Sequence, residues 1–130
     1  MTINFDSINP IYLQIAQGIE DDIIKGNIKE GEQAYSQLII ARELNVNPAT
    51  AAKGINVLVQ KGILEKQRGF SMIVAIGARD KLLLEKKDKN FLDLIKQLVS
   101  EAEKIELSEE SVIKIIKEYY LDKEREKDNG

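Results

Sequence analysis

The chain has 130 residues, room for one domain and an appendage. It contains no cysteine and no histidine, which excludes disulfides, thiolate metal sites and catalytic pairs built on those side chains. No enzymatic function and no cofactor are therefore expected. The formal net charge is -3 and the pI about 5.1, so contact with a polyanion would need a local positive field.

Residues 1–9 lack the basic start and apolar run of a signal peptide, and no stretch approaches the roughly 18 apolar residues of a membrane span. A soluble, cytoplasmic protein without a membrane partner is expected. A first helix is predicted from about Pro10 to Lys25, with Tyr12, Ile15, Ala16, Ile19 and Ile23 on one stripe. Asn9-Pro10 reads as a cap followed by a proline start, and Gly26 as the stop. The outer face carries Glu20, Asp21 and Asp22 and reads as solvated.

Ser36 is placed to cap a short second helix whose buried stripe is Ile40, Ala41 and Leu44, with Asn45-Val46 as the turn. Asn47 then caps a third helix, and Pro48 stands at the first helical position, where its missing N–H costs nothing. This helix runs through Ile55, Leu58 and Val59 to about Lys61, and Gly62 stops it. Ile63–Gln67 and Phe70–Val74 flank Arg68-Gly69 as strand, tight turn and strand. Helix, turn, helix and hairpin in that order make a winged helix-turn-helix, which places its second motif helix in the major groove of DNA.

In that arrangement Ala49, Thr50, Ala51 and Lys53 approach the bases, and Thr50 can donate to phosphate or base. Asn47 is foremost a cap, with a direct contact to DNA left open. The wing rests on Lys66, Gln67, Arg68 and Gly69, with Lys66 and Arg68 flanking the tip and Gly69 supplying the positive φ of the turn. Local charge agrees. Acids dominate Phe5–Glu32, whereas Arg42, Lys53, Lys61, Lys66 and Arg68 outweigh Glu43 and Glu65 between Arg42 and Arg68.

From Pro10 to Val74 the chain resembles the GntR-type bacterial transcription regulators. The likeness is carried by Pro10-Ile11-Tyr12-Leu13-Gln14-Ile15, Gly31-Glu32 and Ser36, then by Leu44-x-Val46-Asn47-Pro48-x-Thr50. Leu58-x-x-x-Gly62-Ile63-Leu64, Arg68-Gly69 and Val74 complete it. The short remainder resembles the YtrA-like branch, which implies a C-terminal pair of helices in place of a ligand-binding domain. The resemblance implies DNA-binding roles for Ser36, Asn47, Ala49, Thr50, Lys53, Lys66, Arg68 and Gly69.

The chain also departs from the family. Tyr35 stands for a usual proline, Gly54 for an alanine and Ser71 for a second wing glycine. Lys53 stands where arginine is common, keeping the charge without the bidentate fork. Leu38 replaces an arginine that generally touches DNA in the family. Three readings of Leu38 stay open: burial by a small rotation of the helix, contact with a thymine methyl, or a protein–protein surface.

Beyond Arg79 a long amphipathic helix is predicted. Leu84, Phe91, Leu98 and Ile105 recur every seven residues, with Leu94, Ile95 and Ala102 on the same side. Ser108 caps a second helix with Glu109 and Glu110 in its first turn and an apolar stripe of Val112, Ile115, Ile116 and Tyr119. Two such helices cannot hide all this surface from water, so a second subunit is the expected partner. Folding back onto the winged domain is the alternative.

The fold expected is mostly α, with α+β character in the N-terminal part. Residues 1–77 form a winged helix-turn-helix DNA-binding domain, 78–120 a helical dimerisation segment and 121–130 a charged flexible tail. The function expected is a sequence-specific, homodimeric repressor of its own operon, binding double-stranded operator DNA. The resemblance adds transporter genes as operon neighbours, and nothing in the sequence names a small-molecule effector. The alternative is a winged-helix protein-interaction module with weakened DNA binding.

Overall fold

The structure is a computed structural model that describes residues 1–67, 69 and 72–129. The expectations made for Arg68, Phe70 and Ser71 lie outside the described residues. The chain forms two compact units, Met1–Lys86 and Lys87–Gly130. In the first, helices α1 (Ile11–Lys25), α2 (Gln37–Leu44) and α3 (Pro48–Gln60) precede strands β1 (Leu64–Lys66) and β2 (Met72–Val74), and helix α4 (Ala78–Glu85) follows. A π-helical stretch, Lys86–Phe91, leads into α5 (Leu92–Lys104), and α6 spans Glu109–Asn129.

The α1 stripe is the centre of the core. Ile15, Ala16, Ile19 and Ile23 are buried, and Tyr12 is half-buried beside them. Leu58 of α3, Ile63, Leu64, Val74 and Leu82 close around that stripe. Each such side chain contributes roughly 1.5–3 kcal/mol relative to exposure. Helix α3 lies against both α1 and α2, with Gly54 at the closest approach to α1. A Cβ on Gly54 would sit 2.8 Å from the Tyr12 carbonyl oxygen and 3.0 Å from Cγ2 of Ile15. Close packing thus accounts for glycine where the family has alanine.

The start of α1 differs from the expected cap. The Asn9 side chain makes no cap bond, and Pro10 occupies the cap position with its carbonyl accepting from Leu13 and Gln14 at 3.1 Å. The Gln14 side chain explains this. Its Nε2 donates to the carbonyls of Asn4 at 2.9 Å and Asn9 at 2.8 Å, drawing the N-terminal arm over the first turn.

The sheet is a short antiparallel hairpin pairing Leu64 with Val74, Glu65 with Ile73 and Lys66 with Met72. Residues 31–34 run along the free edge of β2. Gly31 N–H donates to the Val74 carbonyl at 2.8 Å, Val74 N–H to Glu32 at 3.0 Å and Ala34 N–H to Met72 at 2.8 Å. This edge pairing satisfies the backbone of β2 and delivers the chain to the start of α2 beside the hairpin.

Helix α4 belongs to the first unit, because Ala78 and Leu82 are buried in its core and Arg79 Nε donates to the Ile24 carbonyl at 3.0 Å. The compact unit therefore runs past the boundary expected at Gly77. In the second unit, Ser108 Oγ accepts from Ser111 N–H at 3.1 Å, the expected cap. Helix α6 continues to Asn129, through the stretch from Leu121 that was expected to fray. Its Glu- and Lys-rich composition favours the helical backbone over a frayed one. Only Ala102 is buried in α5, and none of the described residues of α6 is.

Candidate nucleic-acid interface

Both caps that orient the helix-turn-helix form as their side chains dictate. Ser36 Oγ accepts from Ile39 N–H at 3.2 Å, and Asn47 Oδ1 accepts from Ala49 N–H at 2.8 Å. Asn45 ends α2 in the left-handed region at φ 53, which asparagine tolerates better than most residues. Val46 N–H then donates to the Ala41 carbonyl at 3.0 Å, closing the turn. Pro48 occupies the first turn of α3.

Those constraints fix which way α3 faces. Ala51, Gly54, Ile55 and Leu58 are buried against α1 and α2. Ala49, Lys53, Asn56 and Gln60 are exposed on the opposite side, at the i, i+4, i+7 and i+11 spacing of one helical face. Thr50 is half-buried at the flank of that face. Ala51, expected to approach the bases, is instead fully buried at 0 % exposure. It lies three residues before Gly54 and seven before Leu58, on the core side of the same helix.

The expected contact residues divide between two sides of α3. Lys53 lies with Nζ 4.1 Å from the centroid of the Tyr12 ring, towards α1. Ser36 and Lys66 line a groove of about 410 Å³ on the other side, together with Gln37, Ala52 and Asn56. Ile55, Val59 and Met72 also line it. Gly69 has φ 92, as the wing turn requires, and Arg68 lies outside the described residues. Gln37 and Asn56 were not among the residues read from the sequence. For Asn56 the signal was available, since it stands two turns beyond Ala49 on the outward face.

One basic residue leaves the positive cluster. Lys61 Nζ bonds Glu85 at 3.0 Å and Glu20 at 3.1 Å, joining the end of α3 to α4 and α1. Burial works to lower its pKa, but the hydrogen bonds to Glu85 and Glu20 prevail and hold it above the ordinary lysine value. Arg42, Lys53 and Lys66 remain exposed. Tyr35, in place of the family proline, donates its hydroxyl to Asp22 at 2.9 Å. Burial first, and then the bond and charge of Asp22, raise its pKa.

The rotation that would bury Leu38 is not present. Leu38 is 67 % exposed and Ile39 43 %, while Ile40 and Ala41 take the core positions of α2.

A capped helix pair whose second member shows one free polar face beside a hairpin is a winged helix-turn-helix protein. No family model matches the chain. It is 31 % identical over 116 residues to the HTH-type transcriptional repressor YtrA of Bacillus subtilis (strain 168), covering 89 % of this chain and 88 % of that one. It is 29 % identical over 119 residues to the HTH-type transcriptional regulator YhcF of the same organism, covering 92 % and 97 %. Among solved structures it is similar to a GntR family transcriptional regulator from Listeria monocytogenes, with a TM-score of 0.68 and 25 % identity over 88 % of this chain and 98 % of that chain. It is also similar to S. agalactiae BusR in complex with its busA promoter DNA, with a TM-score of 0.50 and 25 % identity over 85 % and 57 %. The chain belongs to the GntR family of HTH-type transcriptional regulators, a family of regulators and not of enzymes. No helix among the described residues is long and apolar enough to cross a membrane.

Proposed function

We propose that this chain is a sequence-specific DNA-binding repressor of its own operon, acting in the cytoplasm as a homodimer held by its C-terminal helices. The observation that carries the reading is the outward face of α3. Its core side and first turn are fully engaged, yet Ala49, Lys53, Asn56 and Gln60 are left to solvent beside Lys66 and the groove. The N–H groups of the first turn are taken up by Asn47, so what the start of α3 offers a phosphate is the positive end of the helix dipole. Ser36, Asn47, Ala49, Thr50, Lys53, Lys66, Arg68 and Gly69 form the proposed contact set, with Asn47 acting mainly through its cap. The resemblance to the YtrA-like branch adds a membrane transporter as the expected neighbour in the operon.

The test is binding of the full chain to duplex DNA from its own upstream region over a salt series. A specific duplex should be preferred over a scrambled one, with affinity falling linearly on logarithmic axes as salt rises. Equal binding to both duplexes, or none, would overturn the reading. The exposed pair Leu38 and Ile39 favours a second reading, a winged module that docks another protein. Salt-independent capture of a protein partner without DNA binding would establish it.

A further inference from the structure

Within that reading, two side-chain amides stand where specificity would be set. Asn56 lies near the middle of the outward face of α3, one turn beyond Lys53 and two beyond Ala49. Gln37 opens α2 directly after the Ser36 cap. Both are exposed, both line the groove between α2, α3 and the hairpin, and among the described residues neither amide has a hydrogen-bond partner. The groove is bordered by Lys66, and none of its described lining residues is a carboxylate.

We propose that Asn56 and Gln37 read the operator's base edges, recognising adenine in an A·T pair through N6 and N7 in the major groove. The chemistry is particular to the amide. It offers one acceptor and a pair of donors in a plane, matching the donor and acceptor that adenine presents there, which a lysine cannot do. The neighbouring residues sharpen the assignment. Ala49 and Ala52 are too short to bond a base edge, and Lys53 is drawn towards the Tyr12 ring. The amides are therefore the base-reading groups on this side of α3, and the lysines are left to phosphate.

The inference rests on the DNA-binding reading, and the experiment separates the two. The full-length parent, Asn56→Ala and Gln37→Ala would each be used to select from a pool of randomised duplexes, and the binding of winning sequences measured over a salt series. The parent should enrich a sequence with fixed A·T positions. Each variant should lose preference at one such position per half-site, by roughly ten- to a hundredfold, with an unchanged salt slope. Variants that keep the parent's preferences, weaken all sequences equally or lower the salt slope would overturn the inference while leaving DNA binding intact. A parent that enriches no sequence would overturn the DNA-binding reading itself.

Discussion

At Leu38 the family's arginine has become an aliphatic side chain that remains at the surface. A leucine that had moved inward would have displaced Ile40 or Ala41, yet both hold the core. An arginine introduced there has open space and a short reach to anything docked on α2. Leu38→Arg should therefore strengthen binding to upstream DNA and steepen its salt dependence by about one unit of slope. Weaker binding would mean that Leu38 makes an apolar contact the charge destroys. Lys53 belongs to the same scale. Its ammonium rests over Tyr12, a contact worth about 0.5–1 kcal/mol at an exposed site, and it remains free to meet phosphate. Lys53→Ala should weaken binding to every sequence and flatten the salt slope by about one unit, while Lys53→Arg should retain the slope. An unchanged slope in Lys53→Ala would place the lysine off the DNA face.

Among the elements, α3 was the most legible from sequence, because its start, its stop and its buried stripe are all set by neighbours in the chain. Asn47, Pro48 and Gly62 each act within a turn of their own position. What sequence did not show depends on distant partners. Lys61 counts as a free positive charge until Glu20 and Glu85 are brought to it from α1 and α4. Helix α4 looks like the start of the C-terminal segment until Leu82 is found in the core. Ala51 was legible but misplaced: it stands four residues before Ile55 and seven before Leu58, the spacing of the buried stripe, and nearness to the helix start outweighed that signal. Two predictions follow from how α3 is held. Gly54→Ala gains about 1 kcal/mol of helix propensity, but its Cβ would meet a backbone oxygen of α1 that cannot swing aside. Overpacking of this kind costs about 1–3 kcal/mol, so the variant should melt at lower temperature than the parent. A higher melting temperature would show that α1 yields. Lys61 and Tyr35 both have raised pKa values, so the folded state binds their protons more tightly than the unfolded chain. Their contribution is complete below the ordinary values and declines as pH rises past them. Alkaline titration should show stability falling above about pH 10, and Lys61→Met should reduce that fall. The same alkaline profile in the variant would remove Lys61 from the linkage.

For the whole molecule the question is what covers the second unit. Phe91, Leu94, Leu98, Ile105, Ile115 and Tyr119 are all exposed in the single chain. Leu98, Ile105, Val112 and Ile116 also border an apolar groove of about 210 Å³ beside the turn joining α5 to α6. So much apolar surface on so small a unit is the mark of an interface. We propose a second copy as its partner, because the seven-residue spacing of Phe91, Leu98 and Ile105 is the pattern of helices packed along one another. A two-fold dimer would also offer two reading helices to two half-sites. Sedimentation at micromolar concentration should then give twice the chain mass of 14.7 kDa. Truncation is best made after Lys86 and not after Gly77, since the shorter cut would remove Leu82 and Glu85 from the first unit. The piece ending at Lys86 should keep its helical signal, sediment as a monomer and bind DNA about 10²- to 10⁴-fold more weakly, the loss expected when two linked sites become one. A monomeric full-length chain, or a truncated piece that still dimerises, would move the interface away from α5 and α6.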